Sequence, residues 1–391
     1  MPLQATSGAA SQDAFGGNGV AVVPNYIEEV FSTYLYTGTG ATTQTITNGI
    51  DLSTKGGMVW GRPRDVSSDF SVFDSIRGSD WLRTNSIGVQ NSNTGFSMLT
   101  TGFSMANMST SSMNFNGSAC VSWTFRKQPK FFDVVSWTGN SANRTISHSL
   151  GSVPACIIVK RTDVNSAWQV YHRSLANTEY LVLNSTAAAA TGATRWNSTT
   201  PTSSVFSLGT DASVNASAGT YVAYLFAHDA GGFGLTGTDN VISCGSVVGA
   251  SQVEVNLGYE PQWILVKNAS SAQDWWLVDN MRGLPVQDTS SAYNASNLRP
   301  NLSDAETTGF SIAPSATGFK ANVLTASQTY IYIAIRRGPM KVPTLGTSVY
   351  QGNTYTGNAT ANTTVAGNFG FPVDLMLLSN RSANATAWAS Y

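Results

Sequence analysis

The sequence predicts an all-β protein: tandem antiparallel β-sandwich repeats of about 100–110 residues, set behind an extended N-terminal arm with a short helix. The first observation behind this is a segment that recurs. Gly151-Ser152-Val153-Pro154-Ala155-Cys156-Ile157-Ile158-Val159-Lys160 returns as Gly258-Tyr259-Glu260-Pro261-Gln262-Trp263-Ile264-Leu265-Val266-Lys267. It begins again as Gly370-Phe371-Pro372-Val373-Asp374-Leu375-Met376-Leu377-Leu378, and a divergent copy is Lys55-Gly56-Gly57-Met58-Val59-Trp60-Gly61-Arg62. Pro154, Pro261 and Pro372 lie 107 and 111 residues apart. That spacing is a folded domain, since solenoid and propeller units recur every ~20–50 residues. The second observation is the dense succession of short apolar runs bounded by Gly, Thr and Asn, which reads as strands and hairpins. The third is composition: 42% apolar and 10% aromatic residues can fill real cores although charged residues are only 11%, against roughly 25% in ordinary soluble proteins.

The chain opens with Gly, Ala, Ser and Gln up to about residue 23, a composition that cannot bury enough surface to fold alone. Pro24 and Glu28-Glu29 suit the first turn of a short helix, in which Ile27, Val30 and Phe31 share a face. We read 1–33 as an arm and helix for anchoring, with Tyr26, Ile27, Val30 and Phe31 as partner-docking residues. Repeats then follow over 34–130, 131–235 and 236–343, and 344–391 begins a fourth.

Each repeat runs through one script. A Gly/Thr/Asn hairpin such as Trp137-Thr138-Gly139-Asn140 leads to an alternating strand such as Thr145-Ile146-Ser147. The buried strand comes next, then an aromatic strand: Phe70-Ser71-Val72-Phe73, Trp168-Gln169-Val170-Tyr171 and Trp275-Trp276-Leu277-Val278. A basic corner follows, as Ile76-Arg77-Gly78, Tyr171-His172-Arg173 and Met281-Arg282-Gly283. The units close on strong β runs, of which Tyr330-Ile331-Tyr332-Ile333-Ala334-Ile335 is the clearest. Between units, Pro and basic residues at Arg126-Lys127-Gln128-Pro129-Lys130 and around Pro339 and Pro343 stiffen the joints. A semi-rigid rod of beads is the expected arrangement. The fourth unit stops at Trp388-Ala389-Ser390-Tyr391, matching Trp168-Gln169-Val170-Tyr171 in mid-sandwich. This predicts the N-terminal part of a longer chain.

Little in the sequence speaks for catalysis. Net charge is −1, so no general field draws nucleic acid or an anionic membrane to the surface. No stretch reaches the ~20 apolar residues of a membrane span, and the N-terminus lacks the regions of a signal peptide. Cys120, Cys156 and Cys244 come without a CxxC pair or His cluster, which favours buried free thiols over a disulfide or metal site. His148, His172 and His228 form no recurring nucleophile arrangement. Asp274 with Asp279 and Asp304 with Glu306 are candidate carboxylate pairs for glycoside cleavage. Asp74 and Asp279, however, each lie three residues before an Arg, the mark of a turn-stabilising ion pair. No catalytic, cofactor or metal residue is assigned. Trp275, Trp276 and Trp196 are the best candidates for stacking on a glycan, and alternation along a strand puts one of Trp275 and Trp276 outward.

From about Phe131 to Pro343 the chain resembles a domain of unknown function that recurs in bacteriophage structural proteins, those of marine and cyanobacterial phages above all. The resemblance is carried by Phe131-Phe132-Asp133-Val134-Val135, by the run from Thr145 to Pro154, by Ile158-Val159-Lys160-Arg161-Thr162-Asp163, and by Tyr221-Val222-Ala223-Tyr224-Leu225-Phe226-Ala227-His228-Asp229. Tyr330-Ile331-Tyr332-Ile333-Ala334-Ile335-Arg336-Arg337-Gly338-Pro339-Met340 is similar as well. It implies a non-enzymatic virion protein without cofactor: the tail-proximal part of a homotrimeric tail fibre, assembled in the host cytoplasm. Its N-terminal arm would hold a tail or adaptor protein, and a distal part would meet the host receptor. A capsid-decorating or neck protein and a glycan-degrading tailspike-type enzyme are the alternatives.

Overall fold

The computed structural model describes residues 24–92, 95–106, 112–284, 295–322, 324–341, 350, 352, 354–356 and 376–378, and the backbone of 389 and 390. The N-terminal arm up to residue 23 and residues 370–375 of the fourth copy lie outside them. The protein is all-β and antiparallel. It divides into two compact units, Met1–Met340 and Lys341–Tyr391.

The first repeat comprises β1 (Phe31–Thr37), β2 (Gln44–Thr47), β3 (Gly57–Pro63), β4 (Ser71–Asp74), β5 (Trp81–Arg83), β6 (Phe96–Leu99), β7 (Gly102–Met105) and β8 (Ala119–Arg126). Its larger sheet has the order β1-β8-β3-β4-β5 and its smaller one β2-β7-β6. The second repeat uses β9 (Phe132–Thr138), β10 (Arg144–Ser147), β11 (Cys156–Arg161), β12 (Gln169–His172), β13 (Glu179–Val182), β14 (Ala190–Thr191), β15 (Val205–Leu208) and β16 (Thr220–Phe226). Its order, β9-β16-β11-β12-β13-β14 over β10-β15, is the same plan. The third contains β17 (Ile242–Val248), β18 (Val253–Asn256), β19 (Pro261–Asn268), β20 (Trp275–Asp279), β21 (Ala295–Asn297), β22 (Thr307–Phe310), β23 (Ile312–Ser315), β24 (Gly318–Ala321) and β25 (Thr329–Arg336). There β17-β25-β19-β20 lies over β18-β24-β23. Registers repeat as well: Phe31 opposes Phe125, Phe132 opposes Phe226, and Ile242 opposes Ile335. This fixes which residues correspond between repeats.

The central strands read as continuous apolar runs because both of their faces are buried. In β19, Ile264 and Val266 join Val255, Ile312 and Phe319 in the third repeat's own sandwich core. The alternate residues Trp263 and Leu265 point the other way, into a core that all three repeats share. In β3, Val59 packs with Ile46, Phe73 and Phe103 of its sandwich, whereas Met58 and Trp60 enter the shared core. Phe125 marks the meeting place. Its ring centroid lies 5.8 Å from those of both Phe226 and Trp263, one ring from each of the other two repeats.

The three sandwiches therefore pack side by side about a common core, and the expected rod is replaced by a closed group. The physical reason is the second apolar face of each larger sheet, which a bead in a rod would leave in water. The linkers between the first and second and between the second and third repeats are tight turns instead of spacers. Phe131 and Phe132 are buried directly after Lys130, whose φ of 67° reverses the chain. The Gly-rich linker Gly231-Gly232-Phe233-Gly234 joins the second repeat to the third, and its Phe233 is fully buried against Phe131.

Around Ile27 the chain makes one 3-10 turn, Ile27–Glu29, and passes straight into β1. Val30 and Phe31 prefer the extended state, and β8 offers Phe31 a partner. The first repeat thus begins at Phe31, inside the stretch read as an arm. Among the described residues there are two further 3-10 turns, Ser112–Asn114 and Asn280–Arg282, and one α-helical turn, α1 (Ala212–Asn215), capped by Asp211, which accepts from Ser213 N. In the second unit β26 (Leu377–Leu378) pairs with β27 (Ala389–Ser390). Leu378 opposes Ala389 as Val159 opposes Gln169 in the second repeat, the register implied by matching Trp388 to Trp168.

Candidate functional site

Several polar side chains that recur between repeats meet at the three boundaries of the group. On the larger sheet the residue two places after Trp60, Ile158 and Leu265 is a cation: Arg62, Lys160 and Lys267, all fully buried. Each reaches into the preceding repeat. Lys160 Nζ donates to Ile87 O at 2.9 Å and to its own loop at Ser166 O, 2.6 Å. Lys267 Nζ donates to Thr186 O at 2.9 Å and to Gln273 O at 2.7 Å. Arg62 Nη2 donates to Ser303 O at 3.0 Å and to Val66 O at 3.2 Å. The third of these joins the first repeat to the last and closes the ring.

Backbone bonds repeat the pattern. Ser166 N donates to Ile87 O, Gln273 N to Thr186 O and Ser68 N to Ser303 O. Returning bonds run from Gln90 N to Thr162 O, Ala189 N to Ala269 O and Glu306 N to Arg64 O. Trp168 Nε1 donates to Arg83 O and Trp275 Nε1 to Val182 O. Phe70 stands in the third place and has no such donor. A buried cation without acceptors would be costly, and carbonyl oxygens supply them here. Burial still pulls both ammonium groups down, to about 8 for Lys160 and Lys267. Both therefore remain charged at neutral pH. Arg62 is lowered to about 10 by the same burial and lies over the Phe70 ring at 4.6 Å.

The basic corners form a second set of interface contacts. Asp74 Oδ2 accepts from Arg77 Nε at 2.6 Å and from Tyr224 OH of the second repeat at 2.7 Å. Asp279 Oδ2 accepts from Arg282 Nε at 2.6 Å and from Trp123 Nε1 of the first repeat at 2.9 Å. In the second repeat His172 replaces the carboxylate. Its Nδ1 accepts from Ser174 N, which leaves the hydrogen on Nε2 to be donated to Tyr332 O of the third repeat at 3.2 Å. Burial depresses this imidazole to about 4, so it is neutral. A neutral ring suits the position because Leu175 stands where the other repeats have the paired Arg. The Asp–Arg spacing thus marks turn-stabilising pairs, as read from the sequence, and they also bind the next repeat.

The residues singled out by sequence fall elsewhere than expected. Ile27, Val30 and Phe31 are buried in the shared core, Phe31 beside Phe125 at 4.9 Å, and Tyr26 is half-buried. Ile27, Val30 and Phe31 are held in the chain's own ring instead of on its surface, because β1 draws them in. Trp196 and Trp275 are buried, their indole N–H groups donating to Glu179 O and Val182 O. Trp276 is half-buried with Phe310 stacked on it at 4.8 Å. These three rings are structural, since sandwich and interface take up their faces.

The candidate carboxylates are also engaged: Asp274 and Asp304 with Arg299, and Glu306 with Arg64 and Arg282. Cys120, Cys156 and Cys244 are buried and free. The recurring buried cation escaped the sequence reading, although the aligned segments end on Arg62, Lys160 and Lys267. A cation closing an apolar strand reads as the strand's solvated end.

Residues 28–339 match the model of a family described as Domain of unknown function (DUF7483). The chain belongs to this family. The DUF7483 match spans all three repeats of the ring. The DUF7483 description assigns no activity, and no curated protein matches the chain.

Proposed function

We propose that this DUF7483 protein is a non-enzymatic structural component of a phage virion, a rigid ring that serves as a building block of the tail. The observation that carries the structural role is the closed set of equivalent interface bonds made by Arg62, Lys160 and Lys267. Recurring polar groups are spent on joining one repeat to the next. A fold selected for catalysis gathers such groups in a cleft. The virion setting comes from the resemblance of the sequence from about Phe131 to Pro343.

The proposed unit is one chain. Separate beads would expose aromatic faces that a homotrimer could cover. Here Phe125, Phe226 and Trp263 cover those faces within a single chain. Antibody raised against residues 24–340, applied to purified particles of the encoding phage, tests the role. Label at the tail is the expected result. Label confined to the head would replace the tail by a capsid-decorating role, and particles that carry none would overturn the proposal.

A further inference from the structure

We infer that a groove on the second repeat binds a carboxylate-bearing saccharide. The groove has a volume of about 760 Å³, within the range of small-molecule sites, and is open along one side. Lys130, Arg173 and His228 line it. Among the described residues, no carboxylate is paired with Lys130 or Arg173, and no Asp or Glu belongs to the lining. His228 Nδ1 accepts from Cys244 N at 3.2 Å, so Nε2 carries the hydrogen of a neutral ring, and Asp229 Oδ2 lies 3.3 Å from the same Nδ1.

The ring supplies its own comparison, because at these positions the other two repeats either lack the cation or pair it with a carboxylate, as Lys127 is paired with Asp133. Arg173 stands where the first repeat has Ser75 and the third Asn280. His228 corresponds to Arg337, whose guanidinium is neutralised by Glu260 at 2.8 Å. Glu260 precedes Pro261 as Val153 precedes Pro154, so the second repeat has an exposed valine in place of that carboxylate. The second repeat thus has Arg173, with Lys130 in the same lining, at a rim without a carboxylate. A guanidinium is the group that takes a carboxylate in a two-pronged bond.

Beside the cations are neutral groups suited to sugar hydroxyls. Ser152 Oγ is buried in the lining without a partner in the protein. Asn177 Nδ2 donates to Thr200 Oγ1 at 2.7 Å, which leaves the second amide hydrogen for a ligand. Cations for a carboxylate, next to amide and hydroxyl groups for a polyol, select an acidic sugar. The site goes beyond the virion role and does not depend on it.

Isothermal titration of the full chain with digalacturonate tests the assignment. Saturable binding is expected, weakened at least about tenfold by Arg173→Gln, the scale of a lost charge-assisted hydrogen bond. Val153→Glu, which copies the third repeat's carboxylate, should weaken it as much, whereas Lys320→Gln on the third repeat's outer sheet should not. Both site residues are exposed, and an unchanged melting curve confirms that the variants fold. Absence of saturable binding, or Arg173→Gln binding like the parent, would overturn the site. Equal affinity for the uncharged disaccharide or for an Asp-Asp dipeptide would overturn the acidic-sugar assignment.

Discussion

His172 shows how one residue can carry a boundary between repeats. The imidazole takes the place of Asp74 and Asp279, accepts a backbone N–H as they do, and donates to the third repeat through Nε2. Its proton affinity in the fold is depressed, from 6.5 to about 4, by burial. The unfolded chain therefore binds this proton first as pH falls. Stability is complete above pH 6.5 and declines as pH drops toward about 4, by roughly 3 kcal/mol at 1.36 kcal/mol per unit. Arg173 and His228 face the same ring and oppose its protonation further. Urea denaturation between pH 7 and 4 measures this. In His172→Gln, where the amide still donates to Tyr332 O, that part of the acid sensitivity should disappear.

At the level of elements, the first turn and β1 matter most for how the chain is divided. Pro24, the acidic pair and the Ile27/Val30/Phe31 spacing were read as an anchoring helix, yet one 3-10 turn suffices to deliver Val30 and Phe31 to the shared core. Val30 is fully buried, so Val30→Ala should cost about 2 kcal/mol, from lost burial and the cavity left behind. Removal of residues 1–33 should destabilise the whole ring, while removal of 1–23 should leave its melting temperature unchanged; calorimetry of the two truncations separates them. Loss of stability in the shorter truncation would show that the core extends further toward the N-terminus. The Gly-rich linker teaches the same lesson. Gly234 has φ of 75°, in the left-handed region that favours glycine, so the linker can make a packed turn.

For the molecule as a whole, a shared core means shared stability. Separate beads would unfold independently, each with its own transition. Here Trp263, fully buried in the third repeat, touches Phe125 of the first and Phe31 of the first strand. Trp263→Ala should therefore cost about 3–5 kcal/mol and lower amide protection in β8 and β16 as well as in β19. Hydrogen exchange reads this directly. Protection lost in the third repeat alone would mean that the repeats are energetically independent despite their contacts. The covalent joints make such a ring less costly to assemble than three free chains, because association of the second and third repeats is intramolecular.

The sequence alone determined the fold class, the period and the main strands. Those depend on local signals: β-branched and aromatic runs, alternation, and turn residues between them. The Asp74–Arg77 and Asp279–Arg282 pairs were legible for the same reason, since both partners lie three residues apart. What the second face of each strand packs against was not legible, because an alternating pattern states that a face is buried and not which element covers it. The burial of Ile27, Trp196 and Trp275, the ring in place of a rod, and the interface role of Arg62, Lys160 and Lys267 were decided by contacts between residues not adjacent in sequence, from 17 positions apart for Trp196 and Glu179 to 241 for Arg62 and Ser303. The groove of the second repeat belongs there too: Lys130, Arg173 and His228 are remote in sequence, and only the tertiary fold gathers them.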